Sequence, residues 1–79
     1  MATEDAIKRE FGLRLKTLRK ALGLTQEEAS RRSGVPQPQW SRIERGLHDP
    51  QLSTAVQMAA GLGVDSLGLL LEGLAAERS

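Results

Sequence analysis

The chain has 79 residues, a length that allows one small domain with a limited core, and association would add to its stability. It contains no cysteine and one histidine, which excludes disulfide scaffolds, thiol nucleophiles and multi-histidine metal sites within one chain. Its aromatic side chains are Phe11 and Trp40, too few for a single-strand binder built on stacked bases.

The charges are divided unevenly along the chain. The formal net charge is +1, yet residues 1–45 carry ten basic and six acidic side chains, whereas residues 46–79 carry one basic and four acidic. The first part therefore has a net charge of +4 and the second of −3. This asymmetry suits contact between the first part and a polyanion, although solvated helix faces also produce such a pattern.

No stretch has the apolar character of a secretion signal or a membrane span. The N-terminal residues, MATEDAIKRE, lack an apolar core, and no apolar run approaches the length of about 20 residues that a spanning helix needs. We therefore expect a cytoplasmic protein with no membrane partner.

Helical periodicity begins near the N-terminus. Thr3 followed by Glu4 and Asp5 is typical of a helix start, because acidic side chains in the first turn face the positive end of the helix dipole. Gly23 is suited to end the helix as its C-terminal cap. The pattern predicts a helix over about 4–22 whose apolar stripe comprises Ile7, Phe11, Leu15, Leu18 and Leu22.

The segment TQEEASRRSGVPQPQWSRIERG, residues 25–46, predicts two short helices joined by a tight turn. Thr25 and Glu28 form a capping-box pattern at the start of helix two, about 26–33, and Gly34 supplies the positive φ that the turn needs. Because proline suits the first helical position, helix three is predicted to begin at Pro38, with Gln37 as its cap, and to end at Arg45.

Helix three has two different faces. Trp40 and Ile43 lie on its apolar face, with Val35 in the turn before it, and these are predicted core positions. The other face carries long hydrogen-bonding side chains: Gln37, Gln39, Arg42 and Arg45. Glutamine can bond both N6 and N7 of adenine, and arginine both O6 and N7 of guanine. We therefore predict that this face contacts the major groove of double-stranded DNA.

Two further helices are predicted downstream. Helix four covers about 52–62, with a shared apolar face of Leu52, Ala55, Val56, Ala59 and Leu62. Helix five covers about 66–76, and its leucines exceed what one face can bury. A second stripe in helix five, Leu67, Leu71 and Leu74, predicts a symmetric dimer contact, with a deeper core inside one chain as the alternative. Since no strand-like alternation occurs, the fold class is all-α, with five helices in a single domain over residues 1–79.

From Phe11 to Leu70 the chain resembles the lambda-repressor-like, Cro-type helix-turn-helix family of bacterial and phage regulators. The segments that carry the resemblance are RLKTLRKALGLTQEE, SGVPQPQWSRIERG and DPQLSTAVQMAAGLGV. The resemblance implies a five-helix DNA-binding domain in which helices two and three, about 26–45, form the helix-turn-helix. It also implies that the partner is double-stranded DNA.

The family's DNA contacts fall on matching positions of this chain. Base contacts are implied for Gln37, Pro38 and Arg42. For Gln37 and Arg42 the alternative is a solvated or phosphate-contacting side chain. Gln26 matches a phosphate-binding position at the start of helix two, where the helix N-terminus itself attracts anions. Ser41 and Arg45 match positions near the DNA backbone.

Four other side chains have open assignments. Gln39 is a candidate for a base contact, with a solvated or phosphate-contacting side chain as the alternative. Arg14, Arg31 and Arg32, like Arg45, are expected to contact phosphates or to stay solvated, and phosphate contacts would add salt-dependent affinity without sequence information.

The resemblance also implies a structural ion pair, between Arg19 in helix one and Glu44 near the end of helix three. Two departures from the family pattern concern the start of helix three. Pro36 stands where Ser or Thr is usual, and Pro38 cannot hydrogen-bond through its side chain. Pro38 would instead offer apolar surface to a thymine methyl group.

These features favour a homodimeric transcription regulator, similar to phage repressors and restriction–modification controller proteins, that binds a palindromic operator. The alternative is an antitoxin-like interaction module whose C-terminal helix binds another protein, with DNA binding secondary. Enzyme activity is not expected, because Glu27 and Glu28 are adjacent rather than facing and no nucleophile has a nearby base. We expect no cofactor, no metal and no small-molecule effector.

Overall fold

The computed structural model describes residues 3–63, and this part of the chain is all-α, as predicted. It contains four helices and no strand: α1 (Glu4–Ala21), α2 (Gln26–Ser33), α3 (Gln37–Glu44) and α4 (Leu52–Leu62). None of these helices is long and apolar enough to cross a membrane. The fifth predicted helix, with its stripe of Leu67, Leu71 and Leu74, lies outside the described residues.

Local caps determine where the first two helices begin. The Thr3 side chain accepts a hydrogen bond from the Ala6 amide at 3.1 Å and begins α1. At α2 both bonds of the predicted capping box are present: Glu28 N–H donates to Thr25 Oγ1 at 3.1 Å, and Thr25 N–H donates to Glu28 Oε1 at 2.9 Å. The bond from the Thr25 amide lowers the pKa of the Glu28 carboxyl group.

The predicted bounds of helix three are wrong by one residue at each end. The helix begins at Gln37, with Pro36 rather than Gln37 as its N-cap, and it ends at Glu44 rather than Arg45. The Pro36 carbonyl accepts from the amides of Gln39 and Trp40, at 3.0 and 3.1 Å, and so closes the first turn. Pro38 fits the second helical position because amides in the first turn have no partner within the helix.

The core lies between the four helices, and α2 packs against both α3 and α4 while α1 packs against α3. Four large side chains are fully enclosed: Leu15, Trp40, Ile43 and Met58. The Trp40 indole N–H donates to Ser33 Oγ at 3.0 Å, which satisfies the polar atom of this buried ring and joins α3 to the end of α2.

Two predicted apolar faces need correction. On α4 the buried positions are Ala55, Met58, Ala59 and Leu62, whereas Leu52 and Val56 are 74% and 45% exposed. The buried face is therefore rotated from the predicted one towards Met58. On α1 the stripe is buried only in its middle, because Ile7 and Leu22, near the two ends, remain 43% and 48% exposed.

Two glycines allow the helices to approach closely. A Cβ added at Gly12 of α1 would lie 2.9 Å from the carbonyl oxygen and 3.0 Å from the carbonyl carbon of Glu44 on α3. A Cβ at Gly61 of α4 would lie 2.9 Å from the Cβ of Ser33 on α2. The sequence predicts neither helix crossing, because a glycine inside a helical pattern does not show which element packs against it.

We predict that Gly12→Ala destabilises the domain by about 1–3 kcal/mol, because the added methyl group meets backbone that cannot rotate away. The sign of this change in unfolding free energy is informative, since alanine in a helix interior otherwise stabilises by roughly 0.5–1 kcal/mol relative to glycine. Urea unfolding measures the effect. Thr17→Ala, an exposed change on the same helix, is the control and should not destabilise. A gain in stability for Gly12→Ala would show that the crossing is looser than described.

Candidate nucleic-acid interface

A buried ion pair joins α1 to the end of α3. Arg19 Nε donates to Glu44 Oε2 at 2.7 Å, and Arg19 Nη2 donates to Glu44 Oε1 at 3.0 Å. The two side chains are only 8% and 1% exposed. The hydrogen bond to Glu44 raises the pKa of Arg19 above its ordinary value, against the opposing effect of burial. Bidentate geometry of this kind allows few relative orientations of the two helices.

The same carboxylate also holds the first residue of α2. Gln26 Nε2 donates to Glu44 Oε1 at 3.0 Å, and Arg19 Nη1 donates to the Leu24 carbonyl, just before α2, at 2.7 Å. Arg19, Gln26 and Glu44 thus connect α1, α2 and α3. An amide NH₂ has two donors, so the bond to Glu44 leaves Gln26 one N–H to offer at the N-terminus of the helix.

The outward face of α3 carries the side chains predicted to contact bases. Gln37, Pro38 and Arg42 are exposed and Gln39 is half-buried, while Trp40, Ile43 and Glu44 of the same helix point into the domain. We call Gln37, Pro38, Gln39 and Arg42 the recognition face. Its middle contains a shallow depression lined by Pro36, Pro38, Gln39, Arg42 and His48.

The turn after α3 brings a further residue to this face. Gly46 has φ +74°, and its amide donates to the Ile43 carbonyl at 3.0 Å, while the Leu47 amide donates to the Arg42 carbonyl at 2.9 Å. These two bonds form a Schellman motif, which turns the chain back along the helix. His48 therefore lines the depression beside Arg42. A histidine in the loop GLHDPQ gives no sequence signal of this position.

The residues predicted near phosphates are more scattered. On α3, Arg45 Nε donates to the Ser41 carbonyl at 3.4 Å, and the arginine is exposed. On α2, Arg31 and Arg32 are exposed, and Arg31 Nη1 lies 3.8 Å from Glu27 Oε1. Arg14 belongs to α1, where its Nη2 pairs with Glu10 at 3.0 Å, while its Nε is buried without a hydrogen-bond partner. The structure thus brings Gln26 into contact with the last residue of α3.

Within residues 3–63, no three His, Asp or Glu side chains are grouped so as to hold a metal ion. The recognition face offers amide and guanidinium donors on one side of α3, and Gln26, at the N-terminus of α2, contacts the last residue of the same helix. This arrangement suits hydrogen bonding to base edges and to phosphate oxygens.

Known proteins share this sequence pattern. Residues 10–72 match the family described as "Helix-turn-helix domain". An uncharacterized HTH-type transcriptional regulator of Sinorhizobium fredii, y4dJ, is 43% identical over 53 residues, which cover 67% of this chain and 69% of that protein. An uncharacterized HTH-type transcriptional regulator of Haemophilus influenzae is 45% identical over 47 residues, which cover 60% of this chain and 48% of that protein. The match thus spans about half of the Haemophilus protein.

Removing one partner of the buried ion pair should be costly. We predict that Glu44→Ala lowers the free energy of unfolding by about 3–5 kcal/mol, because it leaves the Arg19 guanidinium buried without its counter-charge. Urea unfolding measures the loss.

The matched control is Glu10→Ala, which removes the partner of Arg14 from a partly exposed pair on α1 and should cost only about 0.5 kcal/mol. Equal losses for the two variants would contradict the role given to the ion pair.

Proposed function

The chain belongs to the helix-turn-helix family of DNA-binding transcriptional regulators, and from this premise we propose that it binds one specific double-stranded DNA sequence as a homodimer and thereby represses or controls transcription. The observation that carries the proposal is the division of α3 into two faces. Gln37 and Arg42 point to solvent, whereas Trp40 and Glu44 anchor the opposite side in the domain.

Base recognition is assigned to the recognition face. The major groove is about 12 Å wide and admits one α-helix, so α3 enters it with its exposed side chains towards the base edges. Arg42 is suited to the O6 and N7 acceptors of guanine, and Gln37 to the N6 and N7 groups of adenine. Pro38 offers only apolar surface, which suits the methyl group of thymine.

Backbone contacts orient the domain. Gln26 offers a side-chain N–H and the N-terminus of α2 to one phosphate, and its bond to Glu44 fixes the direction of the amide. Arg45 and Ser41, at the end of α3, are assigned to the flanking backbone. Arg31 and Arg32 add positive charge on α2. These contacts supply affinity but no sequence preference.

A homodimer suits this mode of binding because one short helix of eight residues contacts only a few base pairs. Two copies related by a two-fold axis would bind half-sites about 34 Å apart, on one face of a palindromic operator. The leucines at positions 67, 71 and 74 are the proposed contact between the two copies.

Selection of bound sequences from a pool of random duplex DNA tests the proposal. We expect a palindromic consensus whose half-site centres lie about 10 base pairs apart. Affinity for the selected duplex should fall steeply between about 50 and 200 mM salt, because binding releases counterions from the phosphates. An unselective pool together with a flat salt response would contradict the proposed function.

Arg42→Ala separates base contact from backbone contact. We predict that it relaxes preference at one base pair in each half-site, at a cost of about 1–3 kcal/mol for the preferred base. Arg31→Ala, on α2, is the matched control and should weaken all sequences alike. The measurement is the affinity for duplexes that carry each of the four base pairs at that position. Uniform weakening by Arg42→Ala would reassign this residue to a phosphate.

Leu71→Asp tests the dimer. A carboxylate placed in an apolar contact between two copies loses its hydration, so the variant should sediment as a monomer where the parent chain sediments as a dimer. Arg78→Asp, a charge change outside the leucine stripe, serves as the control and should leave the mass unchanged. An unchanged mass for Leu71→Asp would show that the stripe is not the contact.

A further inference from the structure

His48 extends the surface that faces DNA in the proposed function. The residue is exposed, and it shares the depression on the recognition face with Arg42 and Gln39. The remaining lining residues, Pro36 and Pro38, have neither a side-chain donor nor an amide N–H. The side-chain donors of this depression are therefore those of Gln39, Arg42 and His48.

The position of His48 indicates which part of DNA it would meet. It lies in the loop after α3, and the Schellman motif holds this loop beside the helix rather than at its tip. When α3 occupies the major groove, a residue beside the helix faces the border of the groove, where the phosphates lie.

We propose that His48 is a further DNA-binding residue, which donates a hydrogen bond to a backbone phosphate next to the bases contacted by Arg42 and binds it most tightly as the imidazolium ion. This inference rests on the proposed function. It makes the affinity for DNA depend on pH.

The charges around His48 are compatible with this role. Among the described residues that line the depression, Arg42 on α3 is the other charged group, and it favours an anion at the same place. Asp49, the next residue along the loop, lines a different groove, with Lys8 of α1 and the start of α4. From α1, Arg9 approaches the loop at Gly46.

The direction of the pH effect follows from the charge of the phosphate. An anion favours the charged form of an imidazole, so we expect binding to take up a proton and the affinity for DNA to fall as the pH rises. The chain contains one histidine, so no second histidine complicates the measurement.

The experiment measures binding of the duplex recovered by selection at about pH 5.5 and about pH 7.5, at several salt concentrations. For the parent chain we expect an affinity about threefold to tenfold higher at the lower pH for each bound copy. The salt dependence should also be steeper there, by up to about 0.9 in log–log slope for each copy, because one more phosphate is neutralised.

Three variants test whether His48 causes the pH dependence of DNA binding. His48→Gln keeps a donor without the charge and should remove the pH dependence. His48→Lys should bind at about pH 7.5 with the steeper salt dependence that the parent chain shows at about pH 5.5. The double variant His48→Gln with Gln57→His moves the histidine to an exposed site on α4, with the same composition, and should show no pH dependence.

Each outcome has a separate meaning. A pH dependence that survives in His48→Gln, or returns in the double variant, would overturn the inference. The inference would also be overturned if the parent chain bound the duplex with the same affinity at both pH values. If the salt dependence of that binding remained steep, the proposed function would still stand. Absence of duplex binding at either pH would overturn the proposed function and this inference with it.

Discussion

The bidentate contact between Arg19 and Glu44 organises the three helices that carry the proposed DNA-binding surface. It joins α1 to the last residue of α3 with bonds of 2.7 and 3.0 Å, and the same carboxylate holds Gln26 at the start of α2. Three helices therefore meet at one buried charge. Since Glu44 belongs to α3, its anchoring also fixes the rotation of that helix about its own axis, and with it the direction of the recognition face.

Joining helices by a buried ion pair has a large desolvation cost. Both charges lose water, and an apolar pair of similar volume often stabilises a domain at least as well. An apolar pair, however, tolerates sliding and rotation, whereas two parallel N–H···O bonds accept one geometry. The close contact of Gly12 with the Glu44 backbone and the bond from Trp40 to Ser33 constrain the same helix from two further sides. Together these contacts make α3 a rigid support for side chains that face solvent.

The sequence predicts the elements whose ends carry their own signals. The bounds of α2 match the prediction, because the capping box of Thr25 and Glu28 begins the helix and Gly34, with positive φ, ends it. Sequence-based prediction is weaker where a helix boundary or a buried position depends on contacts with another part of the chain. The first turn of α3 is closed by a backbone carbonyl of Pro36, and the choice of Met58 over Val56 for the core depends on how α4 lies on α2. For the same reason His48 has no sequence signal, because a turn formed by backbone bonds places it beside Arg42.

We propose that the side of α3 opposite its Glu44 anchor is the surface that meets DNA. This is tested by titrating isotope-labelled protein with the selected duplex and following the amide signals by nuclear magnetic resonance. We expect the amide signals of Gln26, Gln37, Gln39 and Arg42 to shift, while those of the exposed side of α4, such as Gln57, do not. Shifts confined to α4, or no shifts at low salt, would contradict it.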